Sequence, residues 1–159
     1  MQNRQLKQYF LLSFLVFPIY FFSQTKKINL IILNDQEVSK SIYDFKITPI
    51  NNSSFNESIK GKYIPGDLLL ESEDFNKLEL VNTNDLEISF TVISTVNQDL
   101  VKEIKYNMII PKIYLNKEYL VINIFNMYNK TSKKRFQKLI KNGKEYYVVI
   151  EVPNSMKFD

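Results

Sequence analysis

The chain has 159 residues, 21 basic and 17 acidic, with no cysteine, no histidine and no tryptophan. Without cysteine there are no disulfides and no thiolate metal sites. Without histidine the commonest general base and metal ligand are missing too. Three glycines (Gly61, Gly66, Gly143) leave no room for a glycine-rich phosphate loop or a G-x-S-x-G nucleophile turn. Lysine far exceeds arginine, asparagine and isoleucine abound, and alanine is absent, a bias that an AT-rich bacterial genome produces. Loss of the best helix former, with Ile, Val, Phe, Tyr and Thr plentiful, tilts the chain toward sheet.

The chain begins with Arg4 and Lys7, followed by an uncharged apolar stretch from Tyr9 to Phe22 and an abrupt polar change at Ser23-Gln24-Thr25-Lys26-Lys27. That order is the anatomy of a secretory signal peptide over residues 1–23, with cleavage expected after Ser23 and an uncleaved N-terminal anchor as the alternative. The apolar stretch is shorter than the roughly 20 residues a spanning helix needs, so no integral membrane span is expected after cleavage. The remaining residues, 24–159, make one domain large enough for its own core. Removing Arg4 and Lys7 from 21 basic residues leaves 19 against 17 acidic, a net charge of +2. So small an excess does not point to nucleic acid. The expected location is outside the cytoplasm: periplasmic, cell-surface or secreted.

Ile28 to Leu33 predicts a strand that stops at Asn34-Asp35, and Ile42 to Ile50 a second one, followed by the polar loop at residues 51–54. Ile64-Pro65-Gly66-Asp67 predicts a tight turn, with proline fixing φ at its second position and glycine accepting positive φ at its third. A short strand, Leu68 to Glu71, follows. Leu86, Ile88, Phe90 and Val92 alternate with polar residues, and the alternation resumes at Ile104, Tyr106, Met108 and Ile110. This predicts a hairpin that turns near residues 97–99 and closes at Pro111. Leu120, Ile122 and Ile124 form another inward face, with Tyr119, Val121 and Phe125 on the opposite side. Tyr146, Val148, Ile150 and Val152 form the last, ended by Pro153 and leaving Tyr147 facing outward.

Residues 131–144 read two ways. Phe136, Leu139 and Ile140 have helical spacing, but Asn142-Gly143 is a strong hairpin signal and an early run of bases opposes a helix dipole. The hairpin is preferred, with Leu139 opposite Tyr146 and Gln137 opposite Val148. Seven or eight short strands then predict an all-β fold, an antiparallel β-sandwich that looks like exported immunoglobulin-like or transthyretin-like sandwiches in architecture.

Three groups of residues are candidate sites. Lys130, Lys133, Lys134, Arg135, Lys138, Lys141 and Lys144 fall in a stretch without an acid, predicting a positive ridge for an envelope protein or an anionic polysaccharide. Lysines on an edge strand also serve simply to discourage sheet-to-sheet aggregation. Glu71, Glu73 and Asp74 offer carboxylates for acid–base or calcium chemistry, although on a strand only Glu71 and Glu73 share a face. Asn82 to Glu87 lacks the spacing and glycine of a calcium loop. The tyrosines form the third group, with Tyr147 as the one expected to present an exposed ring to a partner. The binding residues predicted are Lys133, Lys134, Arg135, Lys138 and Tyr147, with no catalytic residue, metal or cofactor. The expected function is a non-catalytic binding module recognising a protein or a cell-envelope component. The alternatives are a structural subunit joined through edge strands and, more remotely, a carboxylate-based hydrolase.

Overall fold

The computed structural model of the chain describes residues 24–50, 57–97, 100–140 and 144–158. The predicted leader and its cleavage point, the loop at 51–54 and the Asn142-Gly143 turn lie outside the described residues. The strands are β1 (Thr25–Asn34), β2 (Glu37–Val38), β3 (Ile42–Ile50), β4 (Ile59–Lys60), β5 (Lys62–Ile64), β6 (Gly66–Glu71), β7 (Asp85–Asn97), β8 (Leu100–Pro111), β9 (Leu120–Asn126), β10 (Tyr146–Val152) and β11 (Ser155–Phe158). Two helices interrupt them, α1 (Ser72–Leu80) and α2 (Lys130–Phe136), together with a 3₁₀ turn at Lys112–Asn116. The fold is therefore mostly β.

Among the described residues the strands form two sheets and no barrel. One runs β11-β10-β9-β1-β6-β5, with β2 paired to the end of β1, and the other runs β4-β3-β7-β8. The second sheet is antiparallel throughout. The first is mixed, because β1 and β9 run parallel, Ile32 lying opposite Ile122. The expectation of a wholly antiparallel sandwich is corrected there. Parallel partners need a crossover connection, and the whole second sheet is built between these two strands in sequence.

The expected hairpin forms as β7–β8, in the register Leu86↔Ile110, Ile88↔Met108, Phe90↔Tyr106 and Val92↔Ile104. Both alternating sets are thereby turned to one face, and all eight residues are buried. Facing them across the core are Ile28, Leu30 and Ile32 of β1, Leu120, Ile122 and Ile124 of β9, and Tyr146, Val148, Ile150 and Val152 of β10. Period-2 patterning on both sheets thus produces one contiguous apolar layer. A bulge in β3 between Tyr43 and Lys46, with Asp44 at φ +50°, shifts the strand's parity. It brings Phe45 inward, where its ring stacks on Phe90 at 5.7 Å. Gly66 takes φ +98° in the predicted Pro65-Gly66 turn, which joins β6 to a short strand, β5, that was not expected.

Two regions depart from the expected all-strand chain. Residues 72–80 are helical and dock Phe75 and Leu78, three apart on one face, into the main core. Residues 130–136 are also helical, so the expected hairpin is overturned: Tyr146 lies opposite Asn126, Val148 lies opposite Ile124, and Leu139 is exposed. The bases that were expected to oppose a helix at its start fall instead in its last turn (Lys133, Lys134, Arg135), where the dipole favours them. Among the described residues, no helix is long and apolar enough to cross a membrane.

Candidate functional site: a basic helix on a polar anchor

β1 ends in a two-residue turn. Asn34 pairs with Glu37, and the turn residues Asp35 and Gln36 both take positive φ, +50° and +76°. That is the backbone of a type I′ hairpin turn, which Asn-Gly would occupy with least strain. Aspartate tolerates the left-handed region better than most residues, whereas Gln36 holds it at a cost.

The turn carries the Asp35 carboxylate to the end of β9, where it collects three donors. The Asn126 backbone N–H reaches Oδ1 at 3.0 Å, the Asn126 Nδ2 reaches Oδ2 at 2.9 Å, and the Ser132 hydroxyl reaches Oδ1 at 2.6 Å. Asp35 in turn donates its own N–H to Ile124 O at 2.8 Å. Asn126 is only 1% exposed, so each of its polar atoms needs a partner. Its Nδ2 also donates to Asn34 Oδ1, and its Oδ1 accepts from the Tyr106 hydroxyl at 2.6 Å. One side chain thereby links β1, β9 and the opposite sheet, while Asp35 links them to α2. Burial, and next the neighbouring Tyr128, hold the Tyr106 hydroxyl far above the usual tyrosine range.

α2 starts from this network. Asn129 caps it, its Oδ1 accepting the N–H groups of Thr131 (2.9 Å) and Ser132 (3.3 Å). Ser132 and Phe136, four apart, face the sheet. The Phe136 ring lies 4.3 Å from that of Phe125 and 5.1 Å from that of Tyr147, forming with Val149 a second, smaller apolar cluster on the outer face of the sheet. Tyr147 does point away from the main core, but α2 covers it and leaves it 8% exposed. Its predicted role as an exposed aromatic contact is corrected: the ring is part of the floor on which the helix rests.

The predicted basic residues do come together. Lys130, Lys133, Lys134, Arg135 and Lys138 are exposed on and just beyond α2. None of the five makes an ion pair among the described residues. The Arg135 guanidinium lies 5.3 Å from the centre of the Phe136 ring. Lys144 departs from the group: it is half-buried, with its ammonium 5.7 Å from the Tyr146 ring. Lys141 lies outside the described residues. The expected ridge on a hairpin is thus a helix surface whose inner side is fastened by hydrogen bonds and stacked rings. Such a surface attracts anions through summed charge.

The acidic segment is arranged differently from the expectation. Glu71 precedes α1, and Glu73 and Asp74 occupy its first turn, where negative charge suits the dipole. Lys77 lies 3.2 Å from Asp74 and 3.4 Å from Glu73, and hydrogen bonds to Asp74 and then Glu73 raise its pKa. A helix, not a strand, carries Glu73, so the expected shared face with Glu71 is lost. Among the described residues, no three His, Asp or Glu side chains gather closely enough to hold a metal ion.

Sequence reasoning found the bases and missed their anchor. Asp35, Asn126 and Ser132 carry no shared motif, and only the parallel β1–β9 pairing brings them together. Compared with known protein families, curated proteins and solved structures, the chain matches none.

Proposed function

We propose that the protein is an exported, non-catalytic binding module that engages an anionic protein or envelope component through the basic surface of α2. The observation that carries this reading is the set of five exposed cations that make no ion pair among the described residues, held on and just beyond a helix that is itself fastened at Asp35, Asn129 and Phe136. A rigid mount reduces the ordering cost of binding, so charge displayed there is more useful than the same charge on a loose loop. The leader-like pattern of Arg4, Lys7 and the apolar stretch to Phe22 supports export and so a partner in the envelope or beyond it. Two packed sheets suit a sandwich of the immunoglobulin-like or transthyretin-like kind, an architecture that many functions share.

Pull-down from the native envelope fraction tests the reading, with the protein beside its Lys134→Glu, Arg135→Glu, Lys138→Glu variant. The expected result is a partner held by the first and lost by the second, while both unfold cooperatively. A partner held equally by both removes the α2 surface from the function. A rival reading, a structural subunit joined through edge strands, draws on the open edge of β8.

A further inference from the structure

Among the described residues β8 is hydrogen-bonded to β7 on one side only and forms an edge of its sheet. Its odd-numbered residues turn their backbone groups outward. The Asn107 N–H donates to the Tyr146 hydroxyl at 2.9 Å, and that hydroxyl lies 2.9 Å from Asn107 O. Lys157 Nζ donates to Ile109 O at 2.9 Å. Side chains of the other sheet therefore close this edge from Asn107 onward. Toward the hairpin tip, Glu103 and Lys105 have the same parity, and among the described residues nothing accepts or donates to their outward backbone groups. A groove of about 370 Å³ runs beside them, lined by Ile104, Lys105, Asn107, Lys144, Glu145 and Tyr146.

We propose that this open segment pairs antiparallel with the same segment of a second copy of the chain, about a two-fold axis at Ile104. The register follows from parity and charge. Antiparallel ladders join residues whose backbone groups face each other, here odd with odd, so the axis must pass through a residue position. An axis at residue 103 or 105 sets Glu103 or Lys105 against itself, and like charges directly opposite are unfavourable, while an axis at 102, where Lys102 already pairs with Glu145 at 3.5 Å, gives Glu103 no basic residue opposite it. An axis at 104 sets Glu103 opposite the second copy's Lys105, repeats that pair by symmetry, and places Ile104 opposite Ile104. Glu103 and Lys105 are exposed on the outer face of the sheet while Ile104 faces the core, as this pairing requires. Charged side chains on an edge ordinarily blunt it against strand addition. Here their alternation rejects the neighbouring registers and admits one. Tyr146 ends the ladder at Asn107, and the two-fold contact uses itself up, so the product is a closed dimer and not a filament.

So short a ladder predicts weak association, with Kd on the order of 100 µM. Sedimentation of the purified protein, from about 10 µM to about 1 mM, reads it. Lys105→Glu, which turns both cross-strand pairs repulsive, is expected to weaken the dimer by about tenfold or more. The double variant Glu103→Lys, Lys105→Glu, which reverses both pairs, is expected to restore it. Ile104→Cys provides a second readout in a chain that has no cysteine of its own. A non-hydrogen-bonded pair brings the two Cα atoms to about 4.5 Å, within disulfide range. Mild oxidation should therefore give one covalent dimer. A wild-type protein that stays monomeric throughout, with no cross-link at residue 104, overturns the proposal and leaves the edge to an extended segment of some other protein. A dimer that ignores Lys105→Glu overturns it as well.

Discussion

α1 and α2 are both too short to persist alone in water, and they are held by different physics. α1 contributes Phe75 and Leu78 to the main core between the sheets. Its N-cap residue, Glu71, makes no side-chain capping bond. α2 lies on the outer face of the larger sheet, where Phe136 meets a small cluster of Phe125, Tyr147 and Val149. It is capped by Asn129 and tied through Ser132 to Asp35. A helix that shares the principal core needs little polar fastening. A helix with less apolar area to bury gains its fixed position from hydrogen bonds, and that fixed position is what the proposed binding surface requires.

The largest effect expected is at α1. Phe75 is 5% exposed, and Phe75→Ala should cost about 3–5 kcal/mol through lost burial and the cavity left behind. Urea unfolding would show this as a lower midpoint for the whole domain. A loss under about 1 kcal/mol would mean that the site collapses around the smaller side chain and that α1 is peripheral after all.

Asp35→Ala should come next, at about 2–3 kcal/mol. It leaves the Asn126 backbone N–H, one of the two Nδ2 protons of Asn126 and the Ser132 hydroxyl without their acceptor, and puts alanine at φ +50°. The distribution of the damage distinguishes the two helices. Hydrogen exchange is expected to lose protection in α2 and at the ends of β1 and β9, with α1 retaining its own. Equal loss in both helices would show that the anchor serves the whole fold and that the contrast between the helices is false.

The same contrast explains what could be read before the structure. The β7–β8 hairpin, its closure at Pro111, the Pro65-Gly66 turn and the end of β10 at Pro153 are encoded within a few residues of one another, by alternation and by backbone chemistry. The charge on residues 130–138 was equally visible, but the element that carries it was not. Asn142-Gly143 suggested local pairing, whereas Tyr146 pairs with Asn126 across the sheet and Phe136 is drawn onto Phe125 and Tyr147. α1 offers only Phe75 and Leu78 as an inward stripe, too little to be recognised as a helix in nine residues. Asp35 and Asn126 lie 91 positions apart, and their meeting depends on a parallel strand pair that no local pattern announces.

The smallest expected effect refines the comparison through pH. The Tyr106 hydroxyl donates to Asn126 inside the α2 anchor, and burial, followed by Tyr128, raises its pKa above the ordinary value of about 10. Tyr63, whose hydroxyl accepts the Ile32 N–H, is raised as well, chiefly by burial. Below about pH 10 both hydroxyls are protonated, folded or unfolded, and the associated stability is fully present. Above it the unfolded chain releases protons that the folded chain keeps, so stability falls as pH rises, by up to about 1.4 kcal/mol per pH unit for Tyr106 and by less for the less deeply buried Tyr63. Tyr106→Phe should cost about 1 kcal/mol at neutral pH, since Asn126 Oδ1 loses its donor, and should make the alkaline decline shallower than in the wild type. Tyr63→Phe should also lessen the decline while leaving the exchange protection of α2 intact at neutral pH. Urea midpoints from pH 8 to 11 decide the matter. An alkaline limb in Tyr106→Phe as steep as that of the wild type would mean that water reaches the hydroxyl, and that the network under α2 is less sealed than its hydrogen bonds imply.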